Sequence, residues 1–156
     1  MPSTATIQSA LIVDRDQLVD EAFASLAALD LEHYGHAGDE VTRQRLDDLY
    51  GLVLTAIADR DVSAVVSYAT TVAHERFTAG FDVAEVQLAF NMLETAMWHH
   101  VVSSVPADEL AASIALLSTV FGIAKDALAR EYVSLAASRH VTSLDVSALF
   151  HGVAAS

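Results

Sequence analysis

Histidine is the side chain with the greatest catalytic potential in this sequence. The chain has seven histidines and no cysteine, which excludes a thiol nucleophile and thiolate metal ligands. His33 and His36 form an H-x-x-H pair, with Glu32 and Asp39 nearby, in a segment that contains two glycines. A structural zinc site needs four well-placed ligands. We therefore interpret this segment as a polar surface loop and expect no metal site.

His74 and His99 are the candidates for a cofactor ligand, because one helical histidine facing an apolar pocket holds the haem of a globin. His99 and His100 are adjacent and point about 100° apart on a helix, so they cannot both face one ion. We expect one of them to flank the core beside Trp98 and the other to meet solvent. The sequence favours ordinary solvated or hydrogen-bonded histidines and no cofactor, with haem or small-ligand binding as the alternative.

A row of polar residues runs beside the apolar face of one predicted helix. Spaced four, three and four residues apart, the row consists of Gln87, Asn91, Glu94 and Trp98. Such a row shares one side of a helix and could line a small-molecule pocket or a partner groove. The boundary between core and solvent has the same pattern, and the sequence favours that interpretation.

The common sequence signatures of catalysis are missing. No serine lies in a G-x-S-x-G elbow, and neither a phosphate-binding loop nor a dinucleotide fingerprint is present. Within the predicted helices, no acidic residue has a histidine three positions later, which argues against a di-iron bundle. We expect no enzymatic activity.

We predict that helices position these residues. Only two prolines and six glycines are present to interrupt a helix, and no alternating strand pattern appears. The apolar spacing predicts an all-α fold of five helices in a single domain over 1–156. The first helix covers about 7–29. The other four begin near Asp39, Asp61, Asp82 and Pro106.

The chain reversal around residue 80 has the clearest local signals. Gly80 suits a helix C-terminus, and Asp82 and Glu85 form a capping box that opens the next helix. Phe81 before the cap and Val86 inside the helix can pack as a hydrophobic staple. The spacing therefore predicts a sharp turn between the third and fourth helices.

The last predicted helix, from about Pro106 to Ser138, is about 50 Å long, whereas a domain of this size has a radius of gyration of roughly 15 Å. The end of such a helix usually meets a second chain or a following domain. Apolar residues make up 53% of the sequence, more than one small core needs. We therefore expect a homodimer with an interface on the fourth and fifth helices. Residues 139–156 form either a linker or a short extra helix.

Charge and hydropathy limit the partners. With 21 acidic residues against eight basic ones, the net charge is −13, which disfavours nucleic acid and anionic membrane surfaces. The longest stretch without charge, 110–124, is shorter than the span of about 20 residues that a bilayer needs, so we expect no membrane helix. The N-terminus has no basic region of a signal peptide, and the absence of cysteine fits a reducing compartment. We expect a cytoplasmic protein.

Residues 75–102 carry the most distinctive pattern: a basic residue, a glycine turn, a capped helix and an Ala/Leu ladder that ends at tryptophan. The residues that form it are Arg76, Gly80, Phe81, Glu85, Val86, Ala89, Leu93, Ala96 and Trp98. This segment resembles the signature region of the RsbR/RsbRD-type N-terminal domain. That module occurs in co-antagonists of the stressosome, and related versions precede PucR-type regulators and some histidine kinases.

The resemblance implies a non-haem, globin-like helical domain, usually dimeric, that acts as a sensory or protein-interaction module. We take Arg76 and the polar row as the candidate residues for a partner or ligand. Members of this family carry an output domain after the last helix, and this sequence ends at Ser156 without one. We therefore expect either a stand-alone sensor or the input part of a longer protein, with a downstream signalling protein or output domain as its partner.

Overall fold

The computed structural model of the chain describes residues 4–29 and 39–143, and these ranges contain six helices and no strand. In chain order the helices are α1 (Thr4–Val13), α2 (Arg15–Ala27), α3 (Asp39–Asp59), α4 (Ser63–Thr78), α5 (Val83–Ser104) and α6 (Ala107–Ser143). The all-α prediction is therefore confirmed, with one more helix than the five expected.

The additional helix arises because the helix predicted over 7–29 is broken. The break lies at Asp14, whose φ of −111° and ψ of 27° leave the helical region. The hydroxyl of Tyr50 on α3 donates a 2.5 Å hydrogen bond to the carbonyl oxygen of Leu11. That oxygen is the acceptor that the N–H of Arg15 would use in a continuous helix. A tertiary contact therefore competes with the helical hydrogen bond at the break.

The turn after α4 has the predicted glycine cap. Gly80 has a φ of +88°, and its N–H donates to the carbonyl oxygen of Phe77 at 3.1 Å. The N–H of Phe81 donates to the carbonyl oxygen of Arg76 at 2.9 Å. This pair of hydrogen bonds is the Schellman motif, which satisfies carbonyl groups at the helix C-terminus.

A carboxylate is the N-cap of α5, and another lies one residue before the N-cap Val62 of α4. The side chain of Asp82 accepts a 2.9 Å hydrogen bond from the N–H of Ala84 in the first turn of α5, so the N-cap half of the predicted capping box is present. Asp61 accepts from both the hydroxyl and the N–H of Ser63, at 2.6 and 2.9 Å, although α4 begins one residue later than predicted. These two hydrogen bonds lower the pKa of Asp61 below its ordinary value.

The core is a continuous cluster of apolar side chains contributed by all six helices. All five predicted core residues of α5 are buried: Val86, Phe90, Leu93, Met97 and Val101. The predicted stripe of the last helix is buried in its middle, at Leu117, Phe121, Ala124, Leu128 and Tyr132. It is only partly buried towards its ends, at Leu110, Ile114 and Leu135.

Helix α6 is longer than the sequence indicated. It continues to Ser143, five residues beyond the predicted end at Ser138, and its 37 residues give a length of about 55 Å. The rest of the 139–156 segment lies outside the described residues. Within Ala107–Arg139, 18 consecutive residues with at most two charges have a mean hydropathy of 1.5, so by length and composition alone this helix is a candidate membrane span, which was not expected from the sequence. Core helices of soluble proteins meet the same criterion when they are mostly buried, and 28% of these residues are buried here.

Replacing Gly80 with alanine should lower the free energy of unfolding by about 1 kcal/mol, because a left-handed φ is strained for a residue with a Cβ atom. An added Cβ would meet no heavy atom within 4 Å, so no clash contributes. Asparagine tolerates this conformation, and the control Gly80→Asn should lose less. Urea unfolding followed by circular dichroism measures both. Equal losses would contradict the backbone explanation.

Candidate functional site

The polar row on α5 meets a basic side chain from α6. Lys125, the only lysine in the chain, donates from Nζ to Asn91 Oδ1 at 3.0 Å and to Glu94 Oε2 at 2.8 Å. The side chains of Lys125 and Glu94 are only 28% and 22% exposed. A half-buried ion pair with a second hydrogen bond therefore joins α5 to α6.

This ion pair forms the floor of an open cleft of about 350 Å³, which we call the Lys125 cleft. Its lining consists of Asn91, Glu94, Thr95, Trp98, His99 and Lys125. The exposed ring of Trp98 tilts against the ring of His99, with the centroids 5.4 Å apart. Because the acid and the base at the floor bind each other, the cleft suits recognition through an aromatic rim rather than proton transfer.

Two of the five candidate partner or ligand residues lie outside this cleft. Gln87 is half-buried and does not line it. Arg76, near the end of α4, places its guanidinium over the ring of Phe81, 4.7 Å from the centroid. It lines a different and much smaller cavity of about 30 Å³. The structure thus brings Asn91, Glu94 and Trp98 together and places Arg76 elsewhere.

The small cavity lies between α3, α4 and α5, and we call it the Arg45 cavity. Its polar lining consists of Thr42, Arg45, Tyr68 and Arg76. Arg45 pairs with Glu75 at 2.6 Å from Nη2 to Oε2, and the hydroxyl of Tyr68 donates to the backbone oxygen of Arg45 at 2.8 Å. Burial raises the pKa of Tyr68 above its ordinary value, so the phenol is neutral at physiological pH.

Comparison with known proteins finds no match: no family model fits the chain, and no curated protein or solved structure is similar to it. We therefore argue function from the residues of the cleft and the cavity.

The two candidate haem ligands are exposed side chains on the outside of the bundle. His74 faces solvent on α4, and His99 stands on the rim of the Lys125 cleft. The more buried neighbour is His100, which donates from Nε2 to the carbonyl oxygen of Ala10 at 2.7 Å and lies 3.4 Å from the carboxylate of Asp14. His100 therefore fastens α5 to the end of α1.

The H-x-x-H pair cannot be placed, because His33, His36 and Glu32 lie outside the described residues. Asp39, which was grouped with them, begins α3. Within the described residues, no group of three or more His, Asp or Glu side chains is arranged to hold a metal ion.

Sequence reasoning missed the residues that complete both sites. Lys125 had a usable signal, since it is the first charged residue after the uncharged stretch 110–124 and follows the core residue Ala124. A lone cation at the edge of a buried stripe needs an acidic partner on the neighbouring helix. Thr42 and Arg45 had no such signal, because they line a common cavity with Arg76 only after α3, α4 and α5 have packed together.

Substituting Lys125 with methionine should lower the free energy of unfolding by about 1–3 kcal/mol, because the half-buried carboxylate of Glu94 loses its cation. The matched control is Arg130→Met, which breaks the exposed pair with Asp126 on α6. This control should cost less than about 0.5 kcal/mol.

The double variant Lys125→Met/Glu94→Leu should recover most of the lost stability, since no charge is then left unpaired. Chemical unfolding of the three variants beside the wild type provides the measurement. If Lys125→Met costs no more than Arg130→Met, the buried pair does not stabilise the packing of α5 on α6.

Proposed function

We propose that the chain is a non-catalytic, homodimeric sensory or protein-interaction module of the cytoplasm, resembling the N-terminal domain of RsbR-type proteins. The observation that carries the proposal is an uncharged, exposed face shared by α5 and α6. Two sets of residues form this dimer face: large exposed side chains on α5, Trp98 and Val102, and small exposed side chains on α6, Ala111, Ala115, Ser118 and Gly122.

The two sets belong to consecutive helices, α5 and α6, which contact each other and are joined by a two-residue connection. Lys125 of α6 lies beside Glu94 of α5. Trp98 and Val102 follow Glu94 by about one and two helical turns, and Gly122 and Ser118 precede Lys125 by about one and two turns, so both sets extend from this ion pair towards the connection. We infer that the large side chains of α5 lie beside the small ones of α6.

Such a face is complementary to a second copy of itself. Around a two-fold axis, Trp98 of one copy can pack on the small residues of α6 in its partner, and the reverse contact forms by symmetry. Aromatic side chains that are partly exposed in the monomer commonly anchor protein interfaces.

Electrostatics favour the same face. Each copy carries a net charge of −13, so two copies repel each other unless they meet where carboxylates are missing. The stretch 110–124 of α6 contains no charged residue. The dimer face is therefore a surface on which two acidic molecules can approach with little repulsion and bury apolar surface.

The Lys125 cleft borders this face and supports a binding role rather than catalysis. Its acid and base are bound to each other, and its rim displays an aromatic pair. Because Trp98 belongs to the dimer face, a downstream signalling protein or output domain would contact the remaining exposed lining of the cleft, Thr95 and His99.

The dimer is tested by size-exclusion chromatography with light scattering at micromolar concentration, where the mass should be twice the chain mass of 16.6 kDa. Ser118→Glu places a carboxylate among the small α6 residues on which Trp98 of the other copy would pack, and should weaken association by about 100-fold. Thr71→Glu, on the exposed side of α4, is the control that adds the same charge and should remain dimeric. Trp98 is the only tryptophan, so its fluorescence emission should shift to longer wavelength as the dimer dissociates.

A wild-type monomer at micromolar concentration would refute the homodimer. A dimer that tolerates Ser118→Glu would refute this interface. Recovery of the chain with lipid vesicles instead of in solution would assign the uncharged stretch of α6 to a membrane.

A further inference from the structure

Among the residues that the structure describes, two glycines lie in helix interiors, Gly51 in α3 and Gly122 in α6. A glycine in the middle of a helix destabilises it relative to alanine, because the glycine backbone loses more conformational freedom on folding. Close packing against another group can justify this cost. For Gly51 the group lies within the chain, since an added Cβ atom would stand 2.9 Å from Nη2 of Arg15.

Gly122 has no such neighbour within a single chain. It is exposed, and an added Cβ atom would meet no heavy atom within 4 Å. It lies well inside Ala107–Ser143, so it does not cap the helix. A second molecule that approaches the backbone of α6 closely would give this glycine the same role that Arg15 gives Gly51.

Trp98 has the position and size to occupy the space above Gly122 in a second copy. Its side chain is 39% exposed on α5. It follows Glu94 by one helical turn, and Gly122 precedes Lys125 by about one turn. Because Glu94 and Lys125 form an ion pair at 2.8 Å, Trp98 and Gly122 lie at nearly the same height along the pair of helices.

The direction of the two-fold axis decides which helices meet across the dimer face. An axis perpendicular to the helices sets α5 against α5 of the other copy, so that large side chains meet large ones. An axis parallel to the helices sets α5 against α6 of the other copy and leaves every residue at its own height. The second arrangement brings large side chains onto small ones and sets Trp98 opposite Gly122.

We propose that Trp98 of each copy packs on Gly122 of the other, about a two-fold axis parallel to α5 and α6. The missing side chain of Gly122 lets the indole ring lie against the backbone of α6, which buries more of the ring than a contact with a larger residue would. This contact rests on the proposed homodimer and specifies which helices pair in it.

Gly122→Ala tests the contact, because it should have opposite effects on the monomer and the dimer. In the dissociated variant Ser118→Glu, the added methyl group favours the helix and should raise the Tm by about 3 °C. In the otherwise native chain, the methyl group takes the space of the indole ring and should weaken association about tenfold in sedimentation equilibrium. The control Ala24→Leu enlarges an exposed side chain on α2 and should leave association unchanged.

A double-variant cycle assigns the effect to the tryptophan. Trp98→Leu removes the indole ring and should weaken association by itself. In the Trp98→Leu background, Gly122→Ala should weaken association by less than about twofold, since the ring that needed the space is gone. The four dissociation constants are measured over a range of protein concentrations that includes each of them.

Equal dissociation constants for Gly122→Ala and the wild type would overturn the contact and leave the homodimer standing. A tenfold loss in both the native and the Trp98→Leu backgrounds would do the same. A lower Tm for Gly122→Ala in the Ser118→Glu background would overturn it too, because the glycine would then be needed within one chain. A wild-type monomer, or a dimer that tolerates Ser118→Glu, would refute the proposed interface and this contact with it.

Discussion

Burial of one face of α6 against α4 and α5 is the constraint on which the rest of the structure depends. The middle of this face is fully buried at Leu117 and Phe121. Near its far end, the hydroxyl of Tyr132 donates to the carbonyl oxygen of Phe81 at 3.2 Å, and burial raises the pKa of this phenol to about 12. The packing brings Lys125 against α5 and turns the small residues of α6 outwards. Both the Lys125 cleft and the dimer face follow from it.

Basic side chains are scarce in this acidic chain, and their positions are correspondingly informative. At least four of the eight join different helices, through the pairs Arg15–Asp47, Arg43–Asp20, Arg45–Glu75 and Lys125–Glu94. Exposed pairs add little stability, but a half-buried pair fixes how two helices are aligned because a displaced partner leaves an uncompensated charge. The two sites each contain such a bridging cation, so alignment of the helices and formation of the sites depend on the same contacts.

The sequence predicts the features that local chemistry determines and misses those that need tertiary contacts. The cap at Gly80 and the buried stripe of α5 follow from residues a few positions apart, and the structure contains both. The break at Asp14 was missed because its cause, the hydroxyl of Tyr50, comes from another helix. The Arg45 cavity was missed for the same reason, since its polar atoms come from different helices and no spacing along the chain reveals their convergence.

Helix α5 contributes residues to both the Arg45 cavity and the proposed dimer face. Val86 and Ala89 on its first half line the Arg45 cavity, and Trp98 on its second half belongs to the dimer face. Between them Leu93 and Met97 are completely buried, so close packing in the core fixes the position of one half of the helix relative to the other.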